Sequence, residues 1–291
     1  MPSPARPRRS VLYMPGSNPR ALAKGRELPA DALILDLEDA VAPDAKAAGR
    51  EAIADALADE KGYGHREVAV RVNGLDTEWG HADLVAMATV GADAILLPKV
   101  ESADMVRRAC AVLDAAGATS ALALWCMMET PRGVLHAEAI ADHPRVACLV
   151  MGTSDLTKDL RARHTAGRLP MLPSLGICLL AARAAGIAAI DGVHLDLNDA
   201  EGFAASCEQG RDLGFDGKTL IHPRQIEAAN DAFGPSPAAV EHARRQIEAY
   251  EAALKAGRGV AVLDGKLVEN LHVVEAQRLV AMAEQIAARK D

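Results

Sequence analysis

Along most of the chain, apolar residues occur in short, nearly continuous runs that are separated by polar turns and helical patterns. A run without polar alternation is typical of a parallel strand that is buried on both faces. The pattern therefore predicts a set of buried parallel strands that alternate with helices. The runs are Val11–Met14, Ala32–Asp36, Val68–Val72, Ala94–Leu97, Ala121–Met127, Ala147–Met151, Ala188–Asp191 and Lys218–Ile221.

Several segments between these runs carry apolar residues at helical spacing and end at a glycine, the residue expected just past a helix. They are Ala103–Ala116 before Gly117, Leu175–Ala185 before Gly186, and Asp199–Leu213 before Gly214. Strand–helix units over residues 1–233 match a TIM (β/α)8 barrel in number and length. The alternative is a doubly wound open sheet. That fold usually has a GxGxxG turn after its first strand, whereas this turn reads PGSNP.

The pattern changes after Phe233, so we predict a separate C-terminal extension over residues 234–291. The letters GPSP indicate a linker. A charged amphipathic helix follows over Ala238–Lys255, then a hairpin around Asp264-Gly265, and then a closing helix over Asn270–Arg289. This extension is too short for an independent core, so it is expected to pack on the barrel or on a neighbouring subunit.

The composition narrows the class of protein. Half of the 291 residues are hydrophobic, which is enough for one sizeable core, and the formal net charge is −8. An acidic surface argues against nucleic acid or an anionic membrane as a partner. No signal peptide or transmembrane run is evident, which predicts a cytoplasmic protein. The five cysteines are scattered, as is typical of reduced, buried side chains.

The active-site residues of a (β/α)8 barrel lie where the strands end. Glu129 and Asp155 follow the fifth and sixth apolar runs, which would be neighbouring strands. Two carboxylates that converge repel each other unless a cation lies between them, and such a pair suits Mg²⁺. Alternatively, each carboxylate caps the next helix or pairs with Arg132 or Lys158.

Arg71 ends the third run and would point into the same mouth, where its guanidinium could bind a carboxylate at two points. The alternative is a structural salt bridge to Glu38 or Asp39. Arg20 and Lys24 lie four residues apart at the start of a helix. They form either a phosphate-binding site or a solvated helix face.

Other polar residues at strand ends receive no assigned role, although burying them requires a partner. They include Asp36, Asn73, Lys99 and Glu101. The histidines are less informative; His222, after the eighth run, could line the mouth. We find no Ser/His/Asp arrangement and no HExxH motif, so neither a serine hydrolase nor a zinc protease is indicated.

Several motifs together resemble the citrate lyase β-subunit-like enzymes of the HpcH/HpaI aldolase and malyl-CoA lyase superfamily. The motifs are RSVLYMPGSNPRALAKG, DALILDLEDAV, VAVRVNG, LLPKVES, METPRGV, MGTSDL, GKTLIHPRQI and DGKLVENLHVVEAQRL, and they span nearly the whole chain. The resemblance implies a TIM barrel with a C-terminal lid and a homo-oligomer, either a trimer or a hexamer. It also implies a Mg²⁺ cofactor, for which Mn²⁺ can substitute.

The resemblance also implies roles for particular residues. Glu129 and Asp155 would bind the metal, and Arg71 would bind the keto-acid or hydroxyacid part of the substrate. Contacts to CoA and substrate would come from Tyr13, Arg20, Lys24 and the Ile221-His222 backbone. The lid motif that often reads GKMID reads GKLVE here, so the catalytic carboxylate from an adjacent subunit would be Glu269. This is a departure, because glutamate is longer by one methylene.

The expected function is that of a Mg²⁺-dependent lyase that cleaves or forms a carbon–carbon bond in a small-molecule CoA thioester. The substrate would be malyl-CoA, β-methylmalyl-CoA or citramalyl-CoA. The products would be acetyl- or propionyl-CoA and a keto acid, glyoxylate or pyruvate. One alternative is a malyl-CoA thioesterase on the same scaffold, and another is a citrate lyase β subunit that acts on a citryl thioester. Two further alternatives are an aldolase for CoA-free acids and a non-catalytic subunit of a larger complex.

Overall fold

The computed structural model of the chain describes residues 6–59 and 62–289. Eight parallel strands follow one another in chain order and close into a barrel, because β8 pairs with β1. This closure confirms the predicted (β/α)8 fold and excludes the open sheet. The strands are β1 (Ser10–Pro15), β2 (Ala32–Asp36), β3 (Glu67–Arg71), β4 (Ala94–Leu97), β5 (Ala123–Met128), β6 (Val146–Met151), β7 (Ala188–Asp191) and β8 (Gly217–Leu220).

The strands are buried on both faces, which explains why their sequences do not alternate. All residues of β2, β3 and β4 are buried. One face of each strand fills the barrel interior, and the other is covered by helices, as in other parallel barrels. The interior core includes Val11, Ile34, Ala69, Leu96, Trp125, Met127, Val150 and Ile190.

Helices surround the barrel, and some end at the predicted glycines. Gly117, Gly186 and Gly214 have φ angles of +88°, +70° and +104°, a backbone region that glycine adopts without a steric penalty. The helices are α1 (Pro19–Gly25), α2 (Lys46–Ala58), α3 (Gly80–Met87), α4 (Ala103–Ala115), α5 (Pro131–Leu135), α6 (Ala137–Ala141), α7 (Thr153–Asp159), α8 (Leu172–Ala184), α9 (Ala200–Leu213) and α10 (Ile226–Phe233).

The predicted boundaries differ from the observed ones by a few residues, for local reasons. The fifth strand begins at Ala123 rather than Ala121, because Leu122 closes a turn by donating its N–H to Thr119 O. Helix α8 begins at Leu172, three residues earlier than predicted. Its proline, Pro173, lies in the first turn, where a missing N–H costs no helical hydrogen bond.

The chain divides into two compact units, of which the larger is Arg8–Ala232. The smaller begins at Phe233 and includes the described residues Arg6 and Pro7. In the smaller unit, a core of Ala253, Ala261, Val268 and Val273 is buried. Its elements are α11 (Pro237–Lys255), β9 (Ala261–Leu263), β10 (Lys266–Val268) and α12 (Asn270–Ala287). The expected hairpin is present, and the role of this unit as a lid stays a prediction.

All five cysteines are buried and free. This agrees with their interpretation as small buried side chains. No helix in the described part of the chain combines the length and the apolar character that a membrane span requires.

Candidate active site

A cavity of about 440 Å³ opens where the barrel strands end. Of the residues predicted from the sequence, Tyr13, Arg71, Glu129, Asp155 and Ile221 line it. They come from the ends of five different strands or from the segments that follow them, so only closure of the barrel brings them together. Apolar side chains also line it, including Met127, Met151, Val193 and Leu195, together with further polar ones such as Asp36 and Asp39. Polar groups on an otherwise apolar wall are typical of a binding site for a small molecule.

Arg71 is held in place by carboxylates at the end of β2. Its Nε and Nη2 donate to the two oxygens of Asp36, each at 2.7 Å. Its Nη1 lies 2.8 Å from Glu38 Oε2, and its guanidinium carbon lies 4.9 Å from the centre of the Tyr13 ring. The ion pair with Glu38 that we considered from the sequence is therefore present, and the guanidinium nevertheless lines the cavity. Burial opposes the charge on Arg71, but Asp36, Tyr13 and Glu38 together outweigh it and raise the pKa of Arg71.

Glu129 follows β5 directly and is only 4% exposed. Its Oε1 accepts a hydrogen bond from the backbone N–H of Lys99 at 2.8 Å. Burial raises the pKa of Glu129 to about 7, and the nearby charge of Glu38 acts in the same direction, while Lys99 and Arg71 oppose the shift. A further cation close to this carboxyl group would stabilise its ionised form and so lower its pKa.

Asp155 lies in the first turn of α7 and is partly exposed. Its Oδ2 lies 3.2 Å from Lys99 Nζ, and its Oδ1 lies 3.5 Å from Lys158 Nζ. Burial alone would raise the pKa of Asp155, but the hydrogen bond and charge of Lys99, followed by Lys158, lower it. The pairing with Lys158 that we considered as an alternative is thus present, alongside a contact with Lys99.

Glu129 and Asp155 fit a Mg²⁺ site in which the protein supplies few ligands. Among residues 6–59 and 62–289, no three His, Cys, Asp or Glu side chains form a group that could hold a metal. Mg²⁺ often takes only one or two protein carboxylates and completes its shell with water and substrate oxygen. Gly152 also makes room for the carboxylate, because a Cβ at this position would collide with Glu129. Glu129 and Asp155 are therefore a chemically suitable donor pair.

The residues predicted to contact CoA are less closely grouped. Arg20 and Lys24 are exposed on α1, outside the lining of the cavity. Ile221 lines the cavity, but its N–H and that of His222 both donate to Gln225 Oε1, at 3.0 and 3.3 Å. The backbone N–H groups of this turn are thus already engaged, and the His222 carbonyl accepts a hydrogen bond from the Gln225 N–H at 3.0 Å.

Glu269 belongs to the smaller unit, where it is the exposed N-cap residue of α12. Its backbone N–H donates to His272 Nδ1 at 3.0 Å. A carboxylate at this position interacts favourably with the helix macrodipole, so stabilisation of α12 is sufficient to explain a glutamate here. Its catalytic role stays a prediction.

Sequence reasoning placed Asp36 and Lys99 at strand ends but assigned neither a role. Asp36 is the register partner of Arg71 on the neighbouring strand. Lys99 contacts Glu38, Glu129 and Asp155 at once. In the sequence, each of the two is a charged residue at the end of an apolar run. This pattern indicates that the residue lies at a strand end, but it does not identify the residues that it contacts.

The chain belongs to the HpcH/HpaI aldolase/citrate lyase family, whose family model matches residues 9–223. It is similar over most of its length to named bacterial proteins. A (3S)-malyl-CoA thioesterase of Cereibacter sphaeroides is 56% identical over 285 residues, which are 98% of this chain and 97% of the relative. The citrate lyase subunit beta of Escherichia coli is 37% identical over 292 residues, which are 98% of this chain and 96% of the relative.

Solved structures share the fold. CitE from Mycobacterium tuberculosis, in complex with magnesium, acetoacetate and coenzyme A, superimposes with a TM-score of 0.76 and 31% identity, covering 96% of this chain and 98% of that one. The citrate lyase beta subunit from the same organism, with oxaloacetate and magnesium, gives a TM-score of 0.67 and 33% identity, covering 79% and 98%. The chain is thus a TIM barrel of an enzyme family, and the structure of one relative has been determined with magnesium and coenzyme A bound.

Proposed function

We propose that the chain hydrolyses a short acyl-CoA thioester of the malyl-CoA class, giving a hydroxydicarboxylic acid and free CoA. The observation that carries the proposal is the 56% identity with (3S)-malyl-CoA thioesterases over 98% of the chain. The sequence motifs alone favour a carbon–carbon lyase and leave this hydrolysis as the alternative. The residues around the cavity suit either reaction, and the higher identity with the thioesterases than with the citrate lyase subunit favours hydrolysis.

In this proposal, Glu129 and Asp155 hold Mg²⁺ (or Mn²⁺), which supplies Lewis-acid polarisation of a substrate oxygen when it is bound. The protein's part is to hold both carboxylates at one edge of the cavity. Glu129 is fixed by the Lys99 N–H and by the space above Gly152. Asp155 is placed by the first turn of α7, directly after β6.

Arg71 binds the terminal carboxylate of the acyl group. The guanidinium has five N–H donors, and Asp36 takes two of them. Nη1 also lies 2.8 Å from Glu38 Oε2, so a substrate carboxylate would bind the N–H groups that remain on Nη1 and Nη2. Tyr13 packs against the guanidinium and limits its movement.

The CoA moiety is proposed to run past Arg20 and Lys24, whose charges suit its phosphate groups. These side chains are exposed and lie four residues apart on one helix face. Tyr13 and the Ile221-His222 backbone would contact the inner part of the ligand. The apolar lining at Met127, Met151, Val193 and Leu195 would contact the carbon atoms of the acyl chain.

Proton transfer is assigned to Glu269 of a neighbouring copy in a homo-oligomer, a trimer or a hexamer. During hydrolysis, a water oxygen bonds to the thioester carbon while Glu269 accepts a water proton. The carbon–sulfur bond then breaks, and the CoA thiolate takes up the proton that Glu269 accepted, which regenerates the carboxylate. The side chain of Glu269 is exposed at the start of α12, as such a role requires.

Carbon–carbon cleavage is the second candidate. It is favoured by the 37% identity with the citrate lyase subunit beta and by the relative that binds magnesium, acetoacetate and coenzyme A. With malyl-CoA, this reaction gives glyoxylate and acetyl-CoA without release of a thiol. The position of Arg71 beside the predicted metal ligands is compatible with it.

Product analysis separates the two reactions. The purified chain is incubated with Mg²⁺ and malyl-CoA, methylmalyl-CoA or citramalyl-CoA, and both free thiol and keto acid are measured over time. Thiol without keto acid supports the thioesterase. Keto acid with intact acetyl- or propionyl-CoA supports the lyase and overturns the proposal. Chain that is inert with every thioester contradicts both reactions.

A further inference from the structure

Lys99 connects three carboxylates at the edge of the cavity. Its ammonium lies 2.7 Å from Glu38 Oε1 and 3.2 Å from Asp155 Oδ2. Its backbone N–H donates to Glu129 Oε1 at 2.8 Å. One residue therefore contacts both proposed metal ligands, one through its side chain and the other through its main chain.

The backbone of Lys99 has a conformation that L-residues seldom adopt. Its φ angle is +48°, in the left-handed region, where a Cβ crowds the following carbonyl group. This turn comes directly after Pro98, and the next residue, Val100, donates its N–H to Met127 O. Sparsely populated backbone conformations of this kind persist where surrounding structure holds them and are concentrated at functional sites.

The charges around Lys99 are unbalanced. The carboxylates at this end of the barrel form an acidic cluster, which comprises Asp36, Glu38, Asp39, Glu129 and Asp155. Arg71 is bound to Asp36 and Glu38, and Lys158 meets Asp155 from the surface side. The Lys99 ammonium is therefore the cation that joins Asp155 to the rest of the acidic cluster.

We propose that Lys99 is a positioning residue that sets the affinity of the site for its divalent cation. Its ammonium neutralises Asp155 before the metal binds and is displaced from Asp155 when the metal arrives, while it keeps its ion pair with Glu38. Its N–H meanwhile holds Glu129 in the orientation that the metal needs. The inference rests on the proposed metal site at Glu129 and Asp155.

The two contacts have opposite effects on metal affinity. An ammonium close to the ligands competes with a divalent cation for the same negative charge, so its removal should strengthen binding. The N–H contact pre-organises Glu129, so its loss should weaken binding. General damage to the site can only weaken binding, which makes a gain in affinity a specific sign of the proposed role.

The test measures Mn²⁺ binding to the full chain by calorimetry and by electron paramagnetic resonance of free Mn²⁺. For Lys99→Met, we expect binding about three- to tenfold tighter than in the wild type, since one partly exposed charge is removed. Lys99→Arg keeps the charge and should bind within about twofold of the wild type. Circular dichroism and thermal melts confirm that each variant is folded.

A second pair of variants tests the backbone contact. Lys99→Gly removes the ammonium but adopts a positive φ freely, so it should bind Mn²⁺ at least as tightly as Lys99→Met. Lys99→Val also removes the ammonium, but a β-branched residue is strongly disfavoured at this φ and should displace the N–H from Glu129. We expect the valine variant to bind several-fold more weakly than the glycine variant.

The outcomes distinguish this inference from the proposed function. If the wild type binds Mn²⁺ and Glu129→Ala does not, the metal site stands. Equal or weaker binding by both Lys99→Met and Lys99→Gly then overturns the role of Lys99 alone. If the wild type binds no Mn²⁺, or if Glu129→Ala binds it as well as the wild type does, the metal site and the inference fail together.

Discussion

Arg71 and Asp36 are register partners at the ends of neighbouring strands, and their side chains form a two-point ion pair with both contacts at 2.7 Å. Both side chains are nearly inaccessible to solvent. A buried carboxylate in this position fixes the plane of the guanidinium. It therefore determines the direction from which a substrate carboxylate can approach.

We expect Asp36→Asn to lower kcat/KM by about tenfold or more, because the guanidinium loses the charged partner that orients it. A matched control is Asp31→Asn, which breaks a comparable two-point pair with Arg9 at the start of β1 and β2. Both variants should lower the melting temperature, but only the Asp36 variant should lower kcat/KM. Equal losses of kcat/KM in the two variants would contradict the positioning role of Asp36.

Arg71→Lys should be nearly as inactive as Arg71→Ala. A lysine keeps the charge but cannot bind Asp36 and a substrate carboxylate with two-point geometry. Steady-state kinetics with malyl-CoA would measure this, together with a substrate analogue that lacks the terminal carboxylate. Wild-type kcat/KM in the lysine variant would show that Arg71 contributes at most its charge.

Glu129→Ala and Asp155→Ala should each abolish activity and leave the fold intact, since each removes half of the proposed protein ligands of Mg²⁺. Asp159→Ala is the matched control, because Asp159 also lies on α7 and pairs with Lys158 at 3.6 Å without lining the cavity. The control should retain most of its activity. Near-normal turnover by either alanine variant in metal-free buffer would refute the metal assignment.

The buried carboxyl of Glu129 predicts a pH dependence for the metal-free protein. Burial raises the pKa of Glu129 to about 7, so the folded state holds this proton more tightly than the unfolded state does. The resulting stability is complete at low pH and is lost as the pH rises through about 7, by an amount on the order of 3 kcal/mol. Urea unfolding in EDTA from pH 5 to 8 measures the loss. It should be smaller in Glu129→Gln, where only the contribution of other groups remains, such as Glu38, whose pKa burial also raises. A glutamine variant with the same loss would assign it to another group.

The extent of sequence-based prediction differs between fold and site. Buried parallel strands leave a strong apolar signal, so the barrel and its order follow from runs such as Ala32–Asp36. The carboxylate pair Glu129 and Asp155 was identified because it ends two such runs. The contacts of Lys99 with these carboxylates were not predicted. They depend on a positive φ angle at Lys99, and a lysine in a sequence gives no indication of that conformation.

The last prediction concerns Glu269, for which two roles give different outcomes. As the N-cap residue of α12, it should stabilise the helix, so Glu269→Gln would cost a few tenths to about 1 kcal/mol and little rate. If Glu269 is a general acid or base, the same substitution should lower kcat by about 10²–10⁴-fold and leave the stability of the protein unchanged. Kinetics and thermal melts on one variant therefore separate the two roles.

If Glu269 acts in the active site of a neighbouring subunit, two different inactive variants should complement each other when they are mixed. Glu269→Gln and Glu129→Ala proteins are combined under conditions in which subunits exchange. Some sites in the mixed oligomers would then have an intact pair of metal ligands and an intact glutamate from the neighbouring copy. Activity should return to a fraction of the wild-type level, set by the proportion of such sites. If mass spectrometry confirms exchange and no activity returns, Glu269 does not act on a neighbouring subunit.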